Sequence, residues 1–347
     1  MCTAKRGTSR KARCKIGKDI TREKRNLRGK MDVRPMVQTT VASKVRFDGV
    51  GLHSGAPVCM VVAPAPANTG ITFVRSDIAS DAADLRDAII PARWDHVVPS
   101  QLCTLIRNED GAEVSTIEHI MAALAGCGIN NATVSIDGPE VPILDGSAAP
   151  FVDGLLAVGL VTQDGPTRAL KILKPVEITN GSAKARLEPA ETLEIDFHID
   201  FADEAIGVQD KRLVMANGAF VRELSNCRTF CRKADVDHMQ QNGLALGGTF
   251  DNAVVVDGQD VLSPGGLRRA DEPVRHKMLD ALGDLYLAGA PILGRYVGEK
   301  SGHAMTNALL RELFATRGAW AYVTVDAPTA ARLPGAGVSR SDLAFCA

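Results

Sequence analysis

The sequence predicts an α+β fold built from two duplicated α+β domains. Each is a sheet plus two helices, with the helices sandwiched between the two sheets. Three observations predict it. The chain has 347 residues, 45% of them apolar, enough for two domains and a sizeable core. Two segment pairs share a pattern: "TIEHIMAALAG" with "VRHKMLDALGD", and "LDGSAAPFVDGLL" with "EKSGHAMTNALL". The spacings also match, since His119 precedes Ser147 by 28 residues and His276 precedes His303 by 27. Two such units bury their helices between two sheets, a stable layered solution.

The elements follow in order. Residues 1–34 hold thirteen Lys/Arg and three Asp/Glu, a net of +10, which leaves −11 on residues 35–347. So few apolar residues cannot bury enough to fold alone. Residues 1–35 are therefore expected to be a disordered basic extension, or to precede a true start at Met31 or Met36. The alternative is an arm for anionic partners such as RNA or lipid. The rest is acidic, so no obligatory nucleic-acid partner is expected.

The first domain, 36–165, opens with "QTTVASKVRFDGVGLHSG". Its strands "PVCMVVAPA" and "ITFVRSD" flank the loop "PAPANTG". A small insert near 85–108, a helix over 116–126, the strand "ATVSIDG", a Pro/Gly-rich loop and a helix near 147–155 complete it. The polar stretch "TQDGPTR" (162–168) is the expected boundary. The second domain, 166–335, carries the alternating strand "ETLEIDFHIDF", with His198 on its polar side, and an insert near 229–255. Helices near 273–287 and 301–314, the closing strand "AWAYVTVDA" and a tail over 336–347 follow.

Composition excludes some classes. No apolar run approaches the length that spans a bilayer, and no signal-peptide core is present. The eight cysteines are scattered, and only Cys227 and Cys231 are near neighbours. That pattern points to reduced thiols in a cytoplasm rather than a disulfide framework. Monomer is the default oligomeric state.

The chemistry concentrates on the paired helices. In "VRHKMLDALGD", Met278, Leu282 and Leu285 form a buried stripe at helical spacing, with His276, Asp280 and Asp284 opposite. His276 and Asp280, at i and i+4, suit two ligands on one metal, though a wet helix face has the same pattern. The first-half helix is apolar nearly all round, so Glu118 and His119 must be buried and need partners. Ser115-x-x-Glu118 fits a capping box, which offers Glu118 a structural alternative. His119 has no local explanation, and the duplication brings it towards His276.

Two His and one Asp leave a fourth tetrahedral position open, as catalytic zinc sites do, and zinc lowers the pKa of water to about 7. Glu118 is then the adjacent general base. His303 falls in the first turn of a helix with Ser301 as its expected N-cap. The dipole there disfavours its protonated form and a carboxylate such as Asp284 favours it. The alternative is a histidine that merely contacts backbone.

At these residues the chain resembles the UDP-3-O-acyl-N-acetylglucosamine deacetylases, zinc amidases of lipid A synthesis in Gram-negative bacteria. The resemblance covers about residues 37–333 and rests on "GVGLHSG", "PAPANTGI", "STIEHIMAALAG", "DGPEVPILDGSAAPFV", "RTF", "VRHKMLDALGDL" and "KSGHAMTN" in order. It implies one Zn²⁺ per chain on His119, His276 and Asp280, with iron(II) as the alternative metal. Glu118 is the implied base, His303 the implied acid oriented by Asp284, and Thr229 the implied oxyanion donor. Phe230 would line the sugar pocket, Lys277 and Lys300 would meet the UDP diphosphate, and Leu52, His53 and Cys103 would sit near the acyl chain or sugar. The second insert would form an apolar passage for that acyl chain.

Cys231 follows "RTF" where the family pattern has Gly, so the local turn is expected to differ. The basic head is no part of the pattern. Two other readings remain at this point: a zinc hydrolase of a different acylated nucleotide sugar, and a non-catalytic nucleotide-sugar or RNA-binding module.

Overall fold

The computed structural model of the chain describes residues 36–79 and 85–346. The basic head, and the expectations attached to it, lie outside the described residues. The principal helices are α1 (Glu118–Gly126), α2 (Ala149–Val158), α3 (Lys233–Gln241), α4 (Glu272–Tyr286) and α5 (His303–Ala315).

The two halves run in the same order. The first begins with an antiparallel hairpin, Val45–Val50 with Pro57–Pro64. Strand Ile71–Arg75 follows, then a small sheet of Val97–Val98, Leu105–Arg107 and Glu113–Val114, then α1. The chain returns as Ala132–Ile136, parallel to Ile71–Arg75, and leaves through α2. The second half repeats this with the hairpin Val176–Asn180 and Ala183–Glu188, strand Leu193–Asp200 and an insert sheet that carries α3. Then come α4, the parallel strand Ile292–Glu299, and α5. A parallel pair needs a long crossover. In each half that crossover holds an insert and the inner helix, so the inner helices occupy equivalent places.

Alternation explains the sheets. Ile71–Arg75, Ala132–Ile136 and Leu193–Asp200 bury every second residue, which puts one face of each sheet on the core. His198 lies on the other face and pairs with Asp210 at 2.8 Å. The polar stretch 162–168 runs through a strand, Leu160–Pro166, that pairs antiparallel with Val37–Val41. In the tail, Arg222 donates to Asp342 at 2.7 Å and ties Arg340–Cys346 to the body.

The inner helices α1 and α4 pack against each other within one core shared by both halves. Every residue of α1 is buried, as is every residue of α4 except Lys277. The polar face of α4 is thus enclosed by protein rather than solvated. Gly283 permits the contact: a Cβ there would lie 2.1 Å from the Glu118 carbonyl oxygen and 3.1 Å from the Ala122 nitrogen. Glycine inside a helix costs about 1 kcal/mol against alanine, and here the cost is offset by close approach of the two helices.

Candidate metal centre and active site

The α1–α4 contact brings His119 to His276, with ring centroids 5.0 Å apart and planes at 88°. The Nδ1 of His276 lies 3.0 Å from the Cys227 carbonyl oxygen. A carbonyl only accepts, so the proton sits on Nδ1 and the Nε2 lone pair faces the site. Burial pushes the His276 pKa down to about 4, so the ring is neutral, the form that binds metal. Ligand atoms of His119, His276 and Asp280 all lie within 4.8 Å of one another. Asp280 Oδ1 stands 3.3 Å from His276 Nε2 and 3.6 Å from His119 Nε2. It is buried and accepts no hydrogen bond, while its second oxygen takes one from Lys277 at 2.7 Å. A buried carboxylate oxygen with no donor is costly, and a cation between it and two imidazole nitrogens satisfies all three. The residues fit a divalent metal of the zinc class.

Two further groups flank this set. Glu118 is 4% exposed, and burial raises its pKa above the ordinary carboxylate value, opposed by His303 and His119. Its Oε2 accepts from the Thr104 backbone N–H at 3.0 Å. Ser115 does not cap α1; the N-cap position is Ile117 and the Ser115 hydroxyl donates to the Pro139 carbonyl. The capping-box reading of Glu118 therefore fails, and its carboxylate points inward instead.

His303 is the first residue of α5, and its Nδ1 lies 2.8 Å from Asp284 Oδ2. Burial alone lowers its pKa, but the carboxylates of Asp284 and Glu118 more than offset this and raise it to about 9. Ser301 is not the expected N-cap. Gly302 takes that place without a side-chain bond, and the Ser301 hydroxyl pairs with Tyr296 at 2.9 Å.

All the candidate catalytic, metal and substrate-binding residues named from the sequence except Asp284 line one cleft of about 1120 Å³; Asp284 sits behind His303. Thr229 is held by its backbone, which donates to Gly146 and accepts from Val254, both at 2.8 Å. Phe230 sets its ring edge-on to Phe201, 5.4 Å between centroids. Lys300 has φ +51° and donates to Asp200 at 2.6 Å.

The loop bearing Leu52 and His53 is held by the buried Glu140 carboxylate, which accepts from the His53 and Ser54 N–H groups at 2.7 and 2.9 Å. Gly51 makes room, since a Cβ there would lie 2.3 Å from Glu140 Oε2. Both ring nitrogens of His53 are buried without a partner, and burial lowers its pKa. Cys103 is buried and hydrogen-bonded with Ser100; burial and the nearby Glu118 carboxylate push its thiol pKa up to about 11, against the opposing effect of that hydrogen bond.

A second cavity of about 310 Å³ adjoins the cleft, lined by Val236, Met239, Phe250 and Val255 of the second insert. Cys231 lines both. Its backbone is regular strand, paired in parallel with Val255, so no special turn occurs there.

Sequence reasoning missed Thr104. Its hydroxyl donates to Asp284 Oδ1 at 2.6 Å while its N–H holds Glu118. No motif flagged it, because its partners lie 14 and 180 residues away.

The comparisons with known proteins agree with one another. Residues 38–315 match the family model described as LpxC, UDP-3-O-acyl N-acetylglycosamine deacetylase. A protein of Shewanella oneidensis strain MR-1 named UDP-3-O-acyl-N-acetylglucosamine deacetylase is 45% identical over 304 residues, 86% of this chain and 97% of its own length. Equally named proteins of Shewanella sp. strain W3-18-1 and Shewanella baltica strain OS155 are 45% and 44% identical over 307 residues, 87% of this chain and 98% of theirs. With a match across most of the sequence and nearly the full length of these relatives, the chain belongs to the UDP-3-O-acyl-N-acetylglucosamine deacetylase family.

Proposed function

We propose that this cleft hydrolyses the N-acetyl amide of a UDP-3-O-acyl-N-acetylglucosamine, releasing acetate and the free amine for lipid A synthesis. The observation that carries the residue roles is the orphaned Asp280 oxygen between two imidazoles, flanked by Glu118 and His303. His119, His276 and Asp280 would hold one Zn²⁺ per chain. Such an ion supplies Lewis acidity to the scissile carbonyl and to water.

The chain's own groups supply the rest. Glu118 takes the proton of the attacking water, a task suited to a carboxylate whose pKa burial has raised. His303, protonated at neutral pH, gives its proton to the departing glucosamine nitrogen. Asp284 holds that ring in place through Nδ1. Thr229, fixed by its backbone in the cleft wall, is the proposed donor to the developing oxyanion.

Phe230 packs on the sugar, and Lys277 and Lys300 meet the diphosphate by exchanging their carboxylate partners for it. Leu52, His53 and Cys103 meet the acyl chain or sugar where the cleft joins the apolar cavity. The free thiols of Cys59, Cys103, Cys127, Cys227 and Cys231 support a reducing, cytoplasmic setting. Among the described residues no helix is long and apolar enough to cross a membrane.

The test is metal analysis of the purified chain, with an acetate-release assay on UDP-linked N-acetylglucosamines of graded 3-O-acyl length. About one zinc per chain and acyl-dependent turnover are expected. Bound metal with no release from any acylated substrate refutes the reaction.

A further inference from the structure

We propose that Thr104 is a positioning residue that keeps the base Glu118 and the acid His303 from pairing with each other. The proposal rests on the deacetylase reading above. Thr104 is 3% exposed and every polar group it has is engaged. Its N–H donates to Glu118 Oε2 at 3.0 Å, its hydroxyl donates to Asp284 Oδ1 at 2.6 Å, and its carbonyl accepts from Ile117 N at 3.4 Å. One residue of the first insert therefore grips the start of α1 and the last turn of α4.

The consequence lies in the other oxygen of each carboxylate. Asp284 Oδ2 faces His303 Nδ1 at 2.8 Å, while Glu118 Oε1 stands 3.9 Å from His303 Nε2. A charged pair of this type closes to about 2.8 Å when nothing prevents it. Thr104 prevents it at both ends. It restrains Glu118 by the far oxygen, and it fixes Asp284 so that the His303 ring is held by Nδ1 away from Glu118. A closed Glu118–His303 ion pair would occupy the base lone pair and the acid proton together. The gap leaves both free for water and for the leaving nitrogen.

Thr104→Val keeps the shape and the backbone N–H but deletes the hydroxyl donor; Thr104→Ser keeps the donor. Thr104→Ala replaces the valine variant should that one not fold. The expected result is a fall in kcat of about tenfold to a hundredfold for Val, part of what acid–base catalysis contributes. KM should stay within about twofold, metal content should be unchanged, and the serine variant should recover to within about threefold of the parent. A second readout needs no turnover. The His303 Nδ1 proton, identified by its loss in His303→Gln, should give a downfield NMR signal in the parent and the serine variant that shifts or broadens in the valine variant.

A valine variant with parental kcat and parental resonance overturns the proposal, and so does a serine variant as impaired as valine. A parent without deacetylase activity whose resonance still follows the hydroxyl would instead sink the proposed reaction and leave the positioning role standing.

Discussion

In the proposed mechanism, His303 is the residue whose protonation sets the alkaline limit. Its ordinary pKa of about 6.5 is raised to about 9 in the fold, so the charged form persists through neutral pH. By linkage, the stability it contributes is fully present below about pH 6.5 and is lost as pH rises through about 9. We expect kcat/KM to fall above about pH 9, and Asp284→Asn to move that limb to lower pH, since Asp284 is the foremost group raising it. Glu118 sets the acid limb above the ordinary carboxylate range. A kcat/KM profile flat from about pH 5 to about pH 11 would contradict the pair. Glu118→Ala should lower kcat by about 10²- to 10⁴-fold with metal content intact, since Glu118 makes no cap; loss of metal or fold would return Glu118 to a structural role. The proposed catalytic and metal-binding residues were legible in sequence because burying Glu118 and His119 demanded partners. The caps at Ser115 and Ser301 were misread because their hydroxyls find partners outside the helices they precede, Pro139 across the chain and Tyr296 in the preceding strand, which the capping pattern does not encode.

Among the elements, α4 was legible from its period to within one residue at each end, because apolar burial dominates its sequence. What periodicity left open was whether its polar face meets water or protein. Only the crossing with α1 decides that, and Gly283 sets the crossing distance. Gly283→Ala should destabilise the fold by about 1–3 kcal/mol, despite better helix propensity, because the methyl meets backbone that cannot yield. Metal affinity should weaken in step; denaturant melts with metal titration check both. In the second insert, Ala253 lines the apolar cavity beside Val255. Ala253→Trp should shift preference to shorter acyl chains, with kcat on the shortest substrate retained. Equal loss across the acyl series would count against the passage.

At the scale of the whole molecule, the repeated order of hairpin, crossover and outer helix is what makes one centre out of two distant segments. The matched spacings disclosed that repeat, whereas Thr104, contributed by the small insert, falls outside it and stayed invisible. His119 belongs to the first half and His276 and Asp280 to the second, so the proposed ligand set is complete only when the halves are docked. Removing the metal should lower the melting temperature. A ligand at a thousandfold over its Kd adds about 4 kcal/mol of stability, and calorimetry with and without chelator measures the difference. An ion so placed behaves as a clasp between the two halves. Any strain that parts α1 from α4 is felt as a weaker grip on the metal, and metal scarcity is felt in turn as a looser protein. Metal occupancy thus becomes a gauge of tertiary integrity, readable without assaying turnover at all.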